Sequence, residues 1–304
     1  MPILLQQAQN LSTLELKVKE IVDGNLIGKH RSLLSGFSVE FLEHRTYNIG
    51  DSTKDIDWKL YAKTGKYFVK KYENETNLRL NLVLDISGSM FYPASNNKSL
   101  ENLNKIGFAC YGAAVLAYAA YKQRDAFSVN LIHEKVHFQS TCKSSPNHLS
   151  YLLQNLDTFL SDKTSEELHT TNLSATIHQL AASFHSRSIL VIFSDFSHLN
   201  TPEKINDFAA AMQYLKYKKI SPRIYHLTDY NTEINLDLGN QPLRIVDKET
   251  GEELKLNPIE IKNEYQKQAI QNQKNIQQIL LNNAIPYQLV DIGLGFKNWL
   301  LTLK

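Results

Sequence analysis

The stretch Leu80-Asn81-Leu82-Val83-Leu84-Asp85-Ile86-Ser87-Gly88-Ser89-Met90 constrains this chain more than any other. An apolar run that stops abruptly at a carboxylate and two hydroxyls reads as a strand buried on both faces, emerging at the edge of a sheet. In extended backbone, residues two apart point the same way. Asp85, Ser87 and Ser89 therefore aim three oxygens at one point, and Gly88 lets the chain curl around it. Such small, hard donors suit Mg2+ or Mn2+, which take about six oxygens at roughly 2.0 to 2.2 Å and keep some waters. The plainer alternative is that Asp85 caps a helix and the serines satisfy loop amides.

Around that strand the pattern alternates. Helical spacing is read at 11–27, 103–124, 147–160, 173–184 and 201–218, the last opened by Thr201 as cap and Pro202 at the first position. Strands are read at 127–132, 188–193 and 223–227. Strand and helix in turn imply a parallel sheet with right-handed crossovers. Beyond residue 231 the rhythm changes to a hairpin around Glu249–Gly251 and a long polar helix at 259–283. A last strand (285–292) and a closing helix (296–303) follow. The expected architecture is thus α/β, a mostly parallel sheet between helices, with an N-terminal α+β extension (1–76), a main domain (77–230 and 284–304) and an inserted hairpin and helix (231–283). The stripe of Ile270, Ile276, Ile279 and Leu280 on that helix needs a partner surface, for which the N-terminal segment is a candidate.

Composition narrows the function classes. Thirty-three basic against 31 acidic residues leave no global field to draw the chain to nucleic acid or anionic lipid. Residues 106–121 carry no charge, but they are rich in Ala, Gly and Tyr, and a spanning helix needs about 20 apolar residues. This segment reads as a helix lying close on a sheet, and no membrane insertion is expected. Residues 1–10 lack a basic region followed by an apolar core, so a cytoplasmic protein is expected. Cys110 and Cys142 are too few for a disulfide framework and read as reduced thiols.

The D-x-S-x-S run at a strand end resembles the metal-ion-dependent adhesion site of von Willebrand factor A domains. In that family two later loops complete the site, and this sequence has matches to both. Thr171 in Thr171-Asn172-Leu173-Ser174-Ala175 resembles the threonine of the T-x-L-x-A stretch; Thr170 is one residue too far from Leu173. Asp195, after Ile189-Leu190-Val191-Ile192-Phe193-Ser194, resembles the later aspartate. The resemblance implies a Rossmann-like three-layer fold and a Mg2+ or Mn2+ site of Asp85, Ser87, Ser89, Thr171 and Asp195. That site would accept an Asp or Glu of a protein partner, with Phe91 and Tyr92 as an apolar rim or as loop packing.

A second segment, Arg45-Thr46-Tyr47-Asn48-Ile49-Gly50-Asp51 through Asp55-Ile56-Asp57-Trp58, is similar to the R-x-Y-x-x-G-D-x-x-R-x-I-D-W signature of one bacterial branch of the von Willebrand A-like proteins. Lys54 and Lys63 stand where that branch has arginine, which removes a bidentate fork. The branch is often encoded beside MoxR-type AAA+ ATPases, so a MoxR-type partner is implied. For Arg45, Tyr47, Asp51, Asp55, Asp57 and Trp58 two readings stay open. One is a binding surface. The other, favoured because no nucleophile or ligand set is evident, is a buried polar network in which Tyr47 and Trp58 anchor the N-terminal segment on the main domain.

Enzymatic readings are weaker. His133-Glu134-Lys135-Val136-His137 matches H-E-x-x-H, but the motif needs a helix, and the alternation from Phe127 to Leu131 places it in a hairpin. Gly24-Asn25-Leu26-Ile27-Gly28-Lys29-His30 falls one residue short of a phosphate-binding loop. Ser87 or Ser89, Asp195 and His226 follow the triad order of an α/β serine hydrolase, yet the G-x-S-x-G elbow is absent.

Overall fold

The computed structural model describes residues 13–23, 41–47, 56–72, 78–95, 97, 99–161, 172–239, 241–247 and 251–303. In chain order these form α1 (Thr13–Ile21), β1 (Phe41–Thr46), α2 (Trp58–Thr64), β2 (Phe68–Tyr72), β3 (Arg79–Asp85), α3 (Lys105–Lys122), β4 (Ala126–Ile132), β5 (Val136–Gln139), α4 (Pro146–Ser161) and α5 (Leu173–Ser183). Then come β6 (Ile189–Ser194), α6 (Pro202–Tyr217), β7 (Ser221–Thr228), β8 (Leu243–Val246), β9 (Glu253–Leu256), α7 (Pro258–Asn282), β10 (Tyr287–Asp291) and α8 (Phe296–Thr302).

Six strands make the central sheet in the order β10-β7-β6-β3-β4-β5, parallel except for the antiparallel edge strand β5. β3 lies at its heart, paired with β4 (Leu82 opposite Val129) and with β6 (Leu82 opposite Val191). Its side chains divide by parity. Leu80, Leu82 and Leu84 enter the core beneath α1, α3, α4 and α8, while Val83 enters the core beneath α5, α6 and α7. β6 divides likewise, Val191 and Phe193 against Leu190 and Ile192. Two buried faces are why these strands read as near-continuous apolar runs and not as alternation, interrupted in β3 by Asn81, which accepts the Ser128 hydroxyl (2.8 Å).

Helix α3, uncharged from Ile106 to Tyr121, lies close on the sheet as its composition predicts. A Cβ at Gly112 would come 3.1 Å from the Phe193 ring and 3.2 Å from Trp299, so only glycine allows this approach without a shift. Among the described residues no helix is long and apolar enough to cross a membrane.

One expectation about the periphery is corrected. On α7, Ile276 and Leu280 are buried in the core formed with α5, α6 and β7, so their partner is the main sheet's helical layer and not the N-terminal segment. The N-terminal helix that does dock is α1, whose Leu14, Val18 and Ile21 join the opposite core. Lys17 Nζ donates to Tyr111 Oη (3.1 Å), and Lys122 pairs with Asp23 at 3.3 Å. The hairpin expected around Glu249–Gly251 is present as the antiparallel pair β8–β9. Cys110 is buried, Cys142 is half-buried, and both are free thiols.

Candidate functional site

Strand β3 ends on Asp85, which is fully buried. Its Oδ1 accepts the Ser87 backbone N–H (3.0 Å) and its Oδ2 accepts the Ser194 hydroxyl (2.6 Å), so the carboxylate ties the ends of β3 and β6 together. Burial, then the neighbouring Asp195 charge, push Asp85 above the ordinary carboxylate range, against the Ser194 and Ser87 hydrogen bonds. Around the turn that follows, Gly88–Phe91, three hydroxyls lead toward solvent, from Ser87 before it, Ser89 within it and Ser197 on the loop after β6. Ser87 Oγ lies 3.2 Å from Ser89 Oγ, and Ser89 Oγ lies 3.0 Å from Ser197 Oγ. The row begins buried at Ser87, is half-buried at Ser89 and reaches the surface at Ser197.

Asp195 closes the other side. Its Oδ1 accepts the Ser197 N–H (3.1 Å), and its Oδ2 accepts Lys105 Nζ at 2.6 Å. Burial raises Asp195, but the Lys105 ammonium and its hydrogen bond outweigh that and hold the carboxyl at about 2. Lys105 is 1% exposed and also pairs with Glu233 Oε1 at 2.5 Å. Burial opposes its charge, but the two carboxylates outweigh burial and hold it above the ordinary lysine range. The second oxygen of Glu233 accepts the Asp229 N–H (2.9 Å) and the Thr228 hydroxyl (3.2 Å).

The structure therefore brings together Asp85, Ser87, Ser89 and Asp195, which stand 110 positions apart at their extremes (195 less 85) in the sequence. Thr171, and Thr170 with it, lie outside the described residues. Phe91 turns inward, 9% exposed, against Phe159, so it offers no rim; Tyr92 is half-buried, with Lys105 Nζ 5.9 Å from its ring centre. Sequence reasoning missed Lys105, Glu233, Ser194 and Ser197. One signal was available for Lys105: it is a cation at the start of a helix with no other charge before Lys122 in its last turn, where the helix dipole disfavours positive charge.

The hydroxyl spacing fits a hard divalent cation, because adjacent corners of an octahedron with bonds of roughly 2.0 to 2.2 Å lie about 3 Å apart. Among the described residues no group of three or more His, Cys, Asp or Glu is placed to hold a metal, so such an ion would rest largely on hydroxyls.

The other candidates do not assemble. His226 Nδ1 faces Tyr287 Oη (3.0 Å), and burial lowers its pKa to about 4. His226 meets the Asp195 backbone, while the Asp195 carboxylate holds Lys105 and the Ser197 amide, so the carboxylate does not orient the imidazole as a triad would need. His133 and His137 flank the β4–β5 hairpin with ring centres 5.8 Å apart, outside any helix. Gly24–His30 lie outside the described residues.

In the N-terminal signature the anchor reading of Trp58 is overturned: Trp58 is 59% exposed. Asp57 explains why. Its Oδ1 accepts the Lys59 and Leu60 N–H groups (2.9 and 3.1 Å), capping α2, and this seven-residue helix buries none of its side chains. Trp58, Tyr61, Tyr67 and Tyr47 instead form a surface ladder of rings, with Tyr61 and Tyr67 stacked at 4.4 Å. Arg45 pairs through its backbone with Val69 in β1–β2, while Asp51 and Asp55 lie outside the described residues.

Comparison with known proteins places the chain. It is 24% identical over 238 residues to uncharacterized proteins of Mycobacterium bovis and Mycobacterium tuberculosis, covering 78% of this chain and 72% of theirs. Among solved structures it is similar to the conserved hypothetical protein BatB from Bacteroides thetaiotaomicron (14% identity, 70% of this chain and 90% of that one, TM-score 0.41). It is also similar to an aerotolerance-related membrane protein from Bacteroides fragilis (16% identity, 74% and 98%, TM-score 0.43). Residues 43–275 match the family described as Protein of unknown function DUF58, and the chain belongs to that family.

Proposed function

We propose that this chain is a non-catalytic protein-interaction module of the von Willebrand A kind. In this reading it captures an acidic side chain of a partner at a Mg2+ or Mn2+ site at the carboxyl ends of β3 and β6. The observation that carries the reading is the hydroxyl row Ser87–Ser89–Ser197, which runs from the interior to the surface between two buried aspartates. Open α/β sheets bind ligands at the carboxyl ends of their strands, where this row stands.

Asp85, Ser87 and Ser89 would hold the ion, Asp195 directly or through water, and Thr171 would complete the set as the resemblance implies. Bound there, the ion supplies a Lewis-acidic positive charge that a carboxylate oxygen can reach from outside. The chain's own residues do the positioning. Asp85 fixes the turn through the Ser87 amide and fastens β6 through Ser194, so the backbone that carries both serines is held in place. Only two carboxylates, Asp85 and Asp195, stand beside it, and the resemblance implies that one of them acts indirectly, so the ion keeps positive character for an outside acid.

The partner class follows from the family resemblance: a MoxR-type AAA+ ATPase, with this chain as adaptor. No second reading is favoured, since the serine nearest a base in sequence order faces other serines in space. The test is capture of the MoxR-type ATPase from the same organism on immobilised full chain, in Mg2+ and in chelator, with wild type and Ser89→Ala. Capture in Mg2+ that is lost in chelator and in the variant supports the proposal; capture indifferent to both removes the metal from the contact.

A further inference from the structure

We propose that Lys105 is a built-in competitor for the divalent cation: its ammonium holds Asp195 while the ion is absent and withdraws onto Glu233 when the ion arrives. This rests on the metal reading above and names what regulates that site.

Lys105 is costly where it stands. Its ammonium is buried at the first position of α3, the positive end of the helix dipole, and a buried charge persists only when paired. The pairing is what makes it a competitor. Both Asp195 oxygens are engaged, Oδ1 by the Ser197 amide and Oδ2 by Lys105 at 2.6 Å, so the charge of the carboxylate is already answered by an ammonium. An incoming ion must therefore displace one positive charge from Asp195 before using it.

Glu233 makes that displacement reversible. Its Oε1 already sits 2.5 Å from the same ammonium, and its Oε2 is fixed by the Asp229 amide and the Thr228 hydroxyl. The turn bearing Glu233, Tyr230–Ile234, is braced by α7: Tyr265 Oη donates to the Glu233 carbonyl (2.9 Å), and Gln266 Nε2 donates to the Asn235 carbonyl (3.0 Å). Lys105 thus has a fixed second seat and need not leave the protein interior to release Asp195.

The two partners of the lysine give opposite expectations. K105M removes the competing charge and keeps the apolar stem, so Mn2+ binding to the full chain, followed by the electron paramagnetic resonance signal of free Mn2+, should tighten about tenfold or more. E233Q removes the second seat, leaves Asp195 as the sole counter-charge of the lysine, and should weaken Mn2+ binding about threefold or more. Circular dichroism melts of each variant without metal establish that it is folded. Equal affinity of folded wild type and K105M overturns the competitor role and leaves the metal site standing. No saturable binding by either protein overturns both. Should K105M fail to fold, E233Q decides alone, and unchanged or tighter binding there overturns the proposal.

Discussion

The two motif-bearing regions of this chain handle their polar residues in opposite ways. At the end of β3, Asp85, Asp195 and Lys105 are drawn into the interior, and besides the nearby Ser87 and Ser197 amides each has a partner across 90 or more positions of sequence. In β1–α2–β2, Asp57 works within three residues of itself, and its neighbour Trp58 stays in solvent. The lesson is that a charge placed between two helical layers must be answered over long range, because the low-dielectric interior leaves no water to answer it. A short surface helix needs only a cap.

That contrast can be broken by measurement, beginning with the largest effect. Lys105→Ala leaves two carboxylates facing each other without their cation and should cost about 3 to 5 kcal/mol in urea unfolding. A loss under about 1 kcal/mol would mean that the cluster is hydrated and not a buried network. Next comes acid. Asp195 is held at about 2 against an ordinary 3.8, so its contribution is present above pH 4 and is lost as the pH falls through about 2. That limb should amount to about 2 kcal/mol and flatten in Asp195→Asn. Asp85, raised above its ordinary value, acts with the opposite sign: it destabilises at neutrality, and its protonation on acidification relieves the strain. An acid limb unchanged by Asp195→Asn would contradict the Lys105 pairing.

The surface region should give smaller numbers. Asp57→Ala removes the cap of α2 and should cost about 1 kcal/mol, with faster amide exchange confined to residues 59–60. Trp58→Ala should change stability by no more than about 0.5 kcal/mol. A loss above 2 kcal/mol there would restore the anchoring role that the sequence had led us to expect.

Much of the sheet was legible because its strands are buried on both faces, which turns Leu80–Leu84 and Ile189–Phe193 into runs no surface strand would carry. The hairpin holding His133 and His137 was legible from alternation. The meeting of Asp85 with Asp195 followed from both standing at the ends of such strands. The lysine between them did not, since nothing local distinguishes a buried Lys105 from a solvated one except its place at the wrong end of a helix. Helix α2 was missed because seven residues with no buried face carry no periodic signal; only Asp57 ahead and Gly65 behind, at φ 65°, marked its limits. Trp58 was misplaced because a large aromatic is commonly an interior residue, whereas here it opens a helix none of whose side chains is buried.

The central claim is that the hydroxyl row at the end of β3 holds a divalent cation. Titrating Mn2+ into the full chain and into the Ser87→Ala, Ser89→Ala double variant, with unbound Mn2+ read by electron paramagnetic resonance, tests it most directly. The account expects one saturable site in the wild type, weakened about tenfold or more by losing the two oxygens. Identical titrations for the two proteins, or no saturation in the wild type, would contradict it.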